Sequence, residues 1–220
     1  MIILNNICKT YKNKYVENEV LKDVDFSLTE PGIIAITGKS GSGKTTLLNI
    51  MCGLEPASSG KVSVLGNDFS GMNSSSLARM RLEHFGYVFQ DYQLVSTLNV
   101  YDNIVVPLYA NNKKVDKKRL DNILEILELT GKTESFPMHL SGGEQQRVAI
   151  ARAIINKPEI VFADEPTGNL DEINTIIVME YLVRYAKENN AYLIYVTHDQ
   201  DLCRYASQQI IIKDKKVNIV

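Results

Sequence analysis

Apolar and polar residues along the chain follow two periods, one of strands and one of helices. Residues 1–7 read as a first strand, followed by Cys8-Lys9-Thr10-Tyr11 and a polar stretch over 12–19. From Val24 to Leu28 apolar and polar positions alternate, as a half-buried strand requires. Glu30-Pro31-Gly32 signals a turn. The apolar segment 32–37 predicts a buried strand, and 46–52 has helical composition. A turn-rich connection over 53–60 leads to a strand at 61–66. The serine-rich segment 70–76 then opens a helix over 77–84, and a strand over 86–89 ends at Gln90.

The pattern changes after Gln90. Pro107 breaks the apolar segment 94–108, and the cluster Lys113-Lys114-Val115-Asp116-Lys117-Lys118-Arg119 reads as a solvated helix start. Leu120, Ile123, Leu124 and Leu127 recur at helical spacing, an amphipathic helix. Residues 91–140 are therefore read as an inserted helical subdomain. A helix opening at Ser141 runs through Ile154, a buried strand spans 158–165, and a helix reaches about Asn189. A core strand covers 192–197, and 209–220 reads as a hairpin. Strands alternating with helices predict an α/β fold with a mixed, mostly parallel sheet, an N-terminal antiparallel β part and the inserted helices, all in one domain over 1–220.

Between the strand at 32–37 and the helix after it stands Gly38-Lys39-Ser40-Gly41-Ser42-Gly43-Lys44-Thr45, followed by Thr46. It fits the phosphate-loop pattern at every fixed position. Free N–H groups and the positive end of a helix dipole converge there on an anion. Lys44 is placed to reach the β- and γ-phosphates, and the Thr45 hydroxyl to hold Mg²⁺. Ile160-Val161-Phe162-Ala163-Asp164 is the Walker B pattern, whose Asp supports Mg²⁺, and Glu165 beside it can orient or deprotonate a water. Ser141 and Glu144 have the spacing of a capping box, but a cap does not need Gly142 and Gly143 as well. That pair suggests a second phosphate-binding helix terminus. His198 follows a core strand, at the end that faces a ligand crevice. Tyr11, 27 residues before Gly38, carries a ring that could stack on a purine or could simply be exposed.

Composition narrows the class. Apolar residues make up 45% and charged residues 23% of the 220, a globular mix. The net charge of −2 argues against nucleic-acid binding through bulk charge. Cys8, Cys52 and Cys203 are isolated and lack metal spacing, so free thiols in a reducing compartment are expected. The first residues lack the features of a signal peptide, and no apolar run nears the roughly 18–20 residues that span a bilayer.

Leu140-Ser141-Gly142-Gly143-Glu144-Gln145 resembles the signature of ATP-binding-cassette ATPases. It stands after the phosphate loop and Gln90 and before Asp164-Glu165, Leu170-Asp171 and His198, in the family's order. The resemblance covers nearly the whole chain. It implies a head-to-tail pair, with ATP on the loop of one copy capped by Ser141, Gly142 and Gly143 of the other. It further implies that Tyr11 stacks on adenine, that Gln90 contacts Mg²⁺ and the attacking water, and that Glu165 is the catalytic carboxylate. His198 would hold the γ-phosphate, and Asp171 would link the two sites. Gly168-Asn169 departs from the Ser-Ala often found before that Leu-Asp. Together with the signature, residues 164–171 resemble the ATPases of macrolide-exporter, lipoprotein-releasing and bacitracin-resistance systems. That implies an integral membrane permease partner and a place on the cytoplasmic face of the membrane.

Two other readings share these motifs. One is a mechanotransmission complex that regulates cell-wall hydrolases and moves nothing. The other, from a different class, is a DNA-maintenance ATPase head, which needs a long coiled coil between its halves. The chain has no heptad array for it. A ribosome-associated cassette protein would carry two cassettes, and here there is one.

Overall fold

The computed structural model describes residues 1–12, 16–168 and 170–220. Part of the polar stretch at 12–19, and Asn169, lie outside the described residues. The chain divides into two compact units, Met1–Arg81 with Ile194–Val220, and Leu82–Leu193.

The first unit carries the strands β1 (Ile2–Lys12), β2 (Glu17–Leu28), β4 (Ser59–Val64) and β5 (Asn67–Asp68). They form an antiparallel sheet in the order β2-β1-β4-β5. Both long strands exceed the sequence reading, and the cause is local. Asn6 at φ 50° and Asp23 at φ 45° interrupt the alternation, and the β1–β2 register shifts between Leu4 and Ile7. A bulge resets which face a residue occupies, so the period-2 pattern breaks where the strand continues. Leu65 and Gly66, both at positive φ, turn β4 back into the short β5, which the sequence reading missed.

The same unit holds β3 (Ile33–Gly38), which feeds the phosphate loop and then α1 (Lys44–Met51). β3 runs parallel to β9 (Gln208–Lys213), pairing Ile36 with Ile210. β9 turns through Asp214 and Lys215 into the antiparallel β10 (Lys216–Ile219). This expected hairpin also reaches β2, because the Lys215 carbonyl accepts from Lys22 N–H at 2.9 Å.

In the second unit β6 (Phe85–Val88) runs parallel to β7 (Ile160–Asp164). Every residue of β7 is buried, as in a strand covered on both faces. Gly86 lies under the long helix α5 (Gly142–Ile155), where a Cβ would come within 2.2 Å of the Ala153 carbonyl oxygen. Strand β8 (Tyr192–Val196) carries the chain from this unit back to the first. Tyr192 N–H donates to Glu159 O at 2.9 Å, and Thr197 N–H donates to Ile36 O at 3.1 Å.

Helix α2 (Ser74–His84) begins in the first unit and ends in the second, which also carries α3 (Val100–Ala110), α4 (Lys117–Ile126) and α6 (Glu172–Asn189). Pro107 does not break α3. It sits in the last turn, and Asn111 N–H closes on the Pro107 and Leu108 carbonyls, so only one intrahelical bond is lost. Asp116 caps α4 through Arg119 N–H, so the helix starts after the first lysines of the charge cluster. Cys52 and Cys203 are buried free thiols and Cys8 is half-buried; burial pushes Cys52 up to about 12, which keeps it an unreactive thiol.

Candidate functional site

In the first unit, the loop after β3 is shaped by backbone that side chains would block. Gly43 has φ 102°, and a Cβ there would lie 2.7 Å from Val20 Cγ1. It is also the N-terminal flank of α1, which has no side-chain cap, so the helix's first N–H groups face the loop's concavity. Lys44 is buried, and its ammonium donates to the Gly38 and Lys39 carbonyls, each at 3.1 Å. Those contacts hold the cation in the loop, where a polyphosphate would need it. Lys39, Ser40, Gly41 and Ser42 form the curve of the loop, with Ser42 N–H donating to Lys39 O. Thr45 and Thr46 stand in the first turn of α1.

Tyr11, near the end of β1, is tied to that helix. Its phenol donates to Glu55 Oε2 at 2.7 Å and lies 3.3 Å from Thr46 Oγ1. Burial raises the phenol's pKa above its usual value; the Thr46 hydroxyl opposes this, and the Glu55 carboxylate adds to the rise. His198 follows Thr197, whose N–H is fixed to β3 at Ile36, so the histidine stands beside the strand that enters the loop. Asp199 N–H donates to Thr197 Oγ1 at 3.0 Å and shapes the turn that presents it.

The second unit brings together the other predicted residues. β7 ends at Asp164, which is buried, and Glu165 follows at φ 47°. A left-handed glutamate is uncommon, and such strain gathers at functional positions. Gln90 Nε2 donates to Glu165 Oε2 at 3.3 Å, so the amide and the carboxylate that the sequence singles out for positioning a water are in contact.

Ser141 caps α5. Its hydroxyl accepts from Glu144 N–H at 3.3 Å, and Glu144 Oε2 accepts from Ser141 N–H at 2.8 Å. The capping box is therefore real. It uses the N–H groups of Ser141 and Glu144 and leaves those of Gly142 and Gly143 out of the exchange. The Ser141 backbone, and then Lys132, keep the Glu144 carboxyl below its usual range. A Cβ on Gly142 would lie 2.9 Å from Tyr92 Oη, and one on Gly143 would lie 3.3 Å from Leu170 Cδ2. The glycines thus let α5's start approach both the turn after Gln90 and the loop after Glu165.

Asp171 has a structural duty that the sequence reading did not assign. It is the N-cap of α6, accepting from Asn174 N–H and from Asn174 Nδ2, each at 2.8 Å. These bonds hold its carboxyl below the usual range. Arg147 donates to Asn174 Oδ1, joining α5 to that cap. Arg152 was also missed. Its guanidinium donates to the carbonyls of Tyr92 at 2.7 Å and Gln93 at 2.6 Å, residues at φ 63° and 48°. It therefore pins the left-handed turn after Gln90. The signal was present in sequence, since a cation within Val148-Ala149-Ile150-Ala151 and Ala153-Ile154 needs a partner.

A family model described as ABC transporter matches residues 21–168. The chain belongs to the ABC transporter family. It is an ATPase domain of that family. The chain is 41% identical over 201 residues to the lipoprotein-releasing system ATP-binding protein LolD of Buchnera aphidicola subsp. Acyrthosiphon pisum (strain APS), covering 90% of this chain and 88% of that protein. It is also 41% identical over 219 residues to the macrolide export ATP-binding/permease protein MacB of Campylobacter fetus subsp. fetus (strain 82-40). That match covers 99% of this chain and 34% of the relative, so the chain spans about a third of that longer protein. Two solved structures of the ATP-binding cassette MJ0796 are also similar. One is dimeric, in a post-hydrolysis state bound to ADP and Pi, with TM-score 0.94 and 33% identity over 100% of this chain and 98% of that one. The other, also dimeric, has TM-score 0.93 and 35% identity over 99% and 97%. The α/β fold that the strand pattern predicts, and the cassette that the resemblance implies, are thus the fold of this ABC ATPase.

Proposed function

We propose that this ABC ATPase powers a lipoprotein-release or export type complex by closing head-to-tail around ATP with a second copy of itself. The full-length likeness to a dimeric cassette bound to ADP and Pi carries the reading. The adenine stacks on Tyr11. Loop N–H groups over 38–43, Lys44 and Thr46 hold the phosphates, and His198 steadies the γ-phosphate. Glu165 and Gln90, already hydrogen-bonded, position the attacking water. Ser141, Gly142 and Gly143 of the second copy cap the phosphates from the far side, and Asp171 connects the two sites.

Mg²⁺ suits the donor set. Thr45, Gln90 and Asp164 offer oxygen ligands only. Substrate phosphates and waters would complete the shell. The ion would neutralise phosphate charge; the chain's own work is positioning and electrostatic stabilisation.

Among the described residues no helix is long and apolar enough to cross a membrane. The permease is a separate chain or domain, and the ATPase sits against it on the cytoplasmic face of the membrane. Residues 91–108, beside Gln90, are its docking segment, with Val95 exposed on it. The names of LolD and MacB support this class of work.

The test is Glu165→Gln. With its carboxylate neutralised, the variant should bind ATP, lose turnover by at least about a hundredfold, and accumulate as an ATP-bound dimer in size-exclusion light scattering. A variant that remains monomeric in ATP refutes the shared site.

A further inference from the structure

Glu55 lies outside every motif read from the sequence, yet it makes two close contacts beside Tyr11. Its Oε2 accepts from the Tyr11 phenol at 2.7 Å, and its Oε1 pairs with Lys9 Nζ at 2.8 Å. Lys9 Nζ also donates to the Pro56 carbonyl at 2.8 Å and lies over the Tyr11 ring, 4.8 Å from the centroid. Glu55 is itself anchored to α1, because its N–H and that of Leu54 both donate to the Asn49 carbonyl, at 3.1 and 2.9 Å. The Lys9 and Glu55 side chains are only 10% and 23% exposed.

Each of these contacts restricts the ring. The phenol is tethered at its tip to an element fixed on the phosphate-loop helix. The ammonium covers one face, so a flat ligand can stack only on the other. A cation on one face also draws π density away from the face that a purine would meet, which eases offset stacking.

We propose that Glu55 is a positioning residue for the nucleobase. Its carboxylate fixes the tilt of Tyr11 and holds Lys9 on the ring's far face, so that the base-stacking platform keeps register with the phosphate loop. This rests on the reading of Tyr11 as the base-stacking residue. Glu55 touches no substrate atom; it acts through Tyr11 and Lys9.

Isothermal titration with Mg-ATP and with Mg-tripolyphosphate, which has no base, tests this on the wild type, Glu55→Ala, Glu55→Gln, Tyr11→Ala and the Tyr11→Ala/Glu55→Ala pair. Losing one hydrogen bond and its ordering should make Glu55→Ala bind ATP about three- to tenfold more weakly. Its tripolyphosphate affinity should be unchanged, which also shows that the loop is folded. Glu55→Gln keeps an oxygen acceptor and should recover most of the loss. In the Tyr11→Ala background, removing Glu55 should add nothing. Equal weakening of ATP and tripolyphosphate, or a Glu55 effect that persists without Tyr11, overturns the proposal. So does full ATP affinity in Glu55→Ala when Tyr11→Ala has lost it, an outcome that leaves the stacking role of Tyr11 intact. Full ATP affinity in Tyr11→Ala instead removes the stacking reading, and the role of Glu55 with it.

Discussion

At the scale of single residues, the turn that follows Gln90, whose amide meets the Glu165 carboxylate, is pinned by a cation. Arg152 holds the Tyr92 and Gln93 carbonyls, and both residues sit in a conformation that costs free energy unless something fixes it. Arg152→Ala should therefore lower turnover by about tenfold or more, since a displaced positioning group costs that much, while leaving ATP affinity nearly unchanged. A split between kcat and the ATP dissociation constant is the measurement. Motif residues were legible because their chemistry demands particular types at fixed spacing, as in Gly38 to Thr45. For Arg152 only the need for a partner was legible, because its acceptors come from a turn distant in sequence. The second duty of Asp171 was not legible, because a helix cap and a signalling carboxylate look alike in one dimension.

Among the elements, α3 shows how a buried polar side chain can organise a segment. Asn103 is fully buried. Its Oδ1 accepts from Val95 N–H at 2.8 Å, and its Nδ2 is shared among the carbonyls of Val95, Leu98 and Asn99. The loop before α3, which includes the proposed docking segment, is thus fastened to the helix that follows it. Asn103→Leu leaves those backbone groups without partners and should destabilise the protein by about 2–3 kcal/mol. Urea denaturation, read as a lower midpoint with an unchanged slope, checks it. The helix start at Ser141 was read well because its capping box is visible in the sequence, whereas the capped starts of α2 after Asn73 and of α3 after Asn99 were not. Strand ends were read poorly at Asn6 and Asp23, where one residue of positive φ moves every later side chain to the opposite face. Pro107 misled for a different reason, since α3 runs past it to Ala110 and tolerates the loss of one intrahelical bond.

For the molecule as a whole, the proposed reaction centre needs two copies. Specific activity should therefore rise with protein concentration, and at low concentration the total rate should scale with its square; a strictly linear dependence refutes the shared site. Exposed apolar side chains beside the predicted contact points, Ile173 next to Asp171 and Met138 close to Ser141, fit a surface covered in a dimer. The cap at Asp171 then acquires a further meaning. Each oxygen of this carboxylate accepts one bond from the first turn of α6, so a rotation of the carboxylate toward a second subunit would release that turn, and the cost of such a closure should appear as local fraying. Hydrogen–deuterium exchange at the Asn174 amide becomes a gauge of engagement: it should quicken when the Glu165→Gln protein closes on ATP, and an unaltered rate would mean that Asp171 never leaves its own helix.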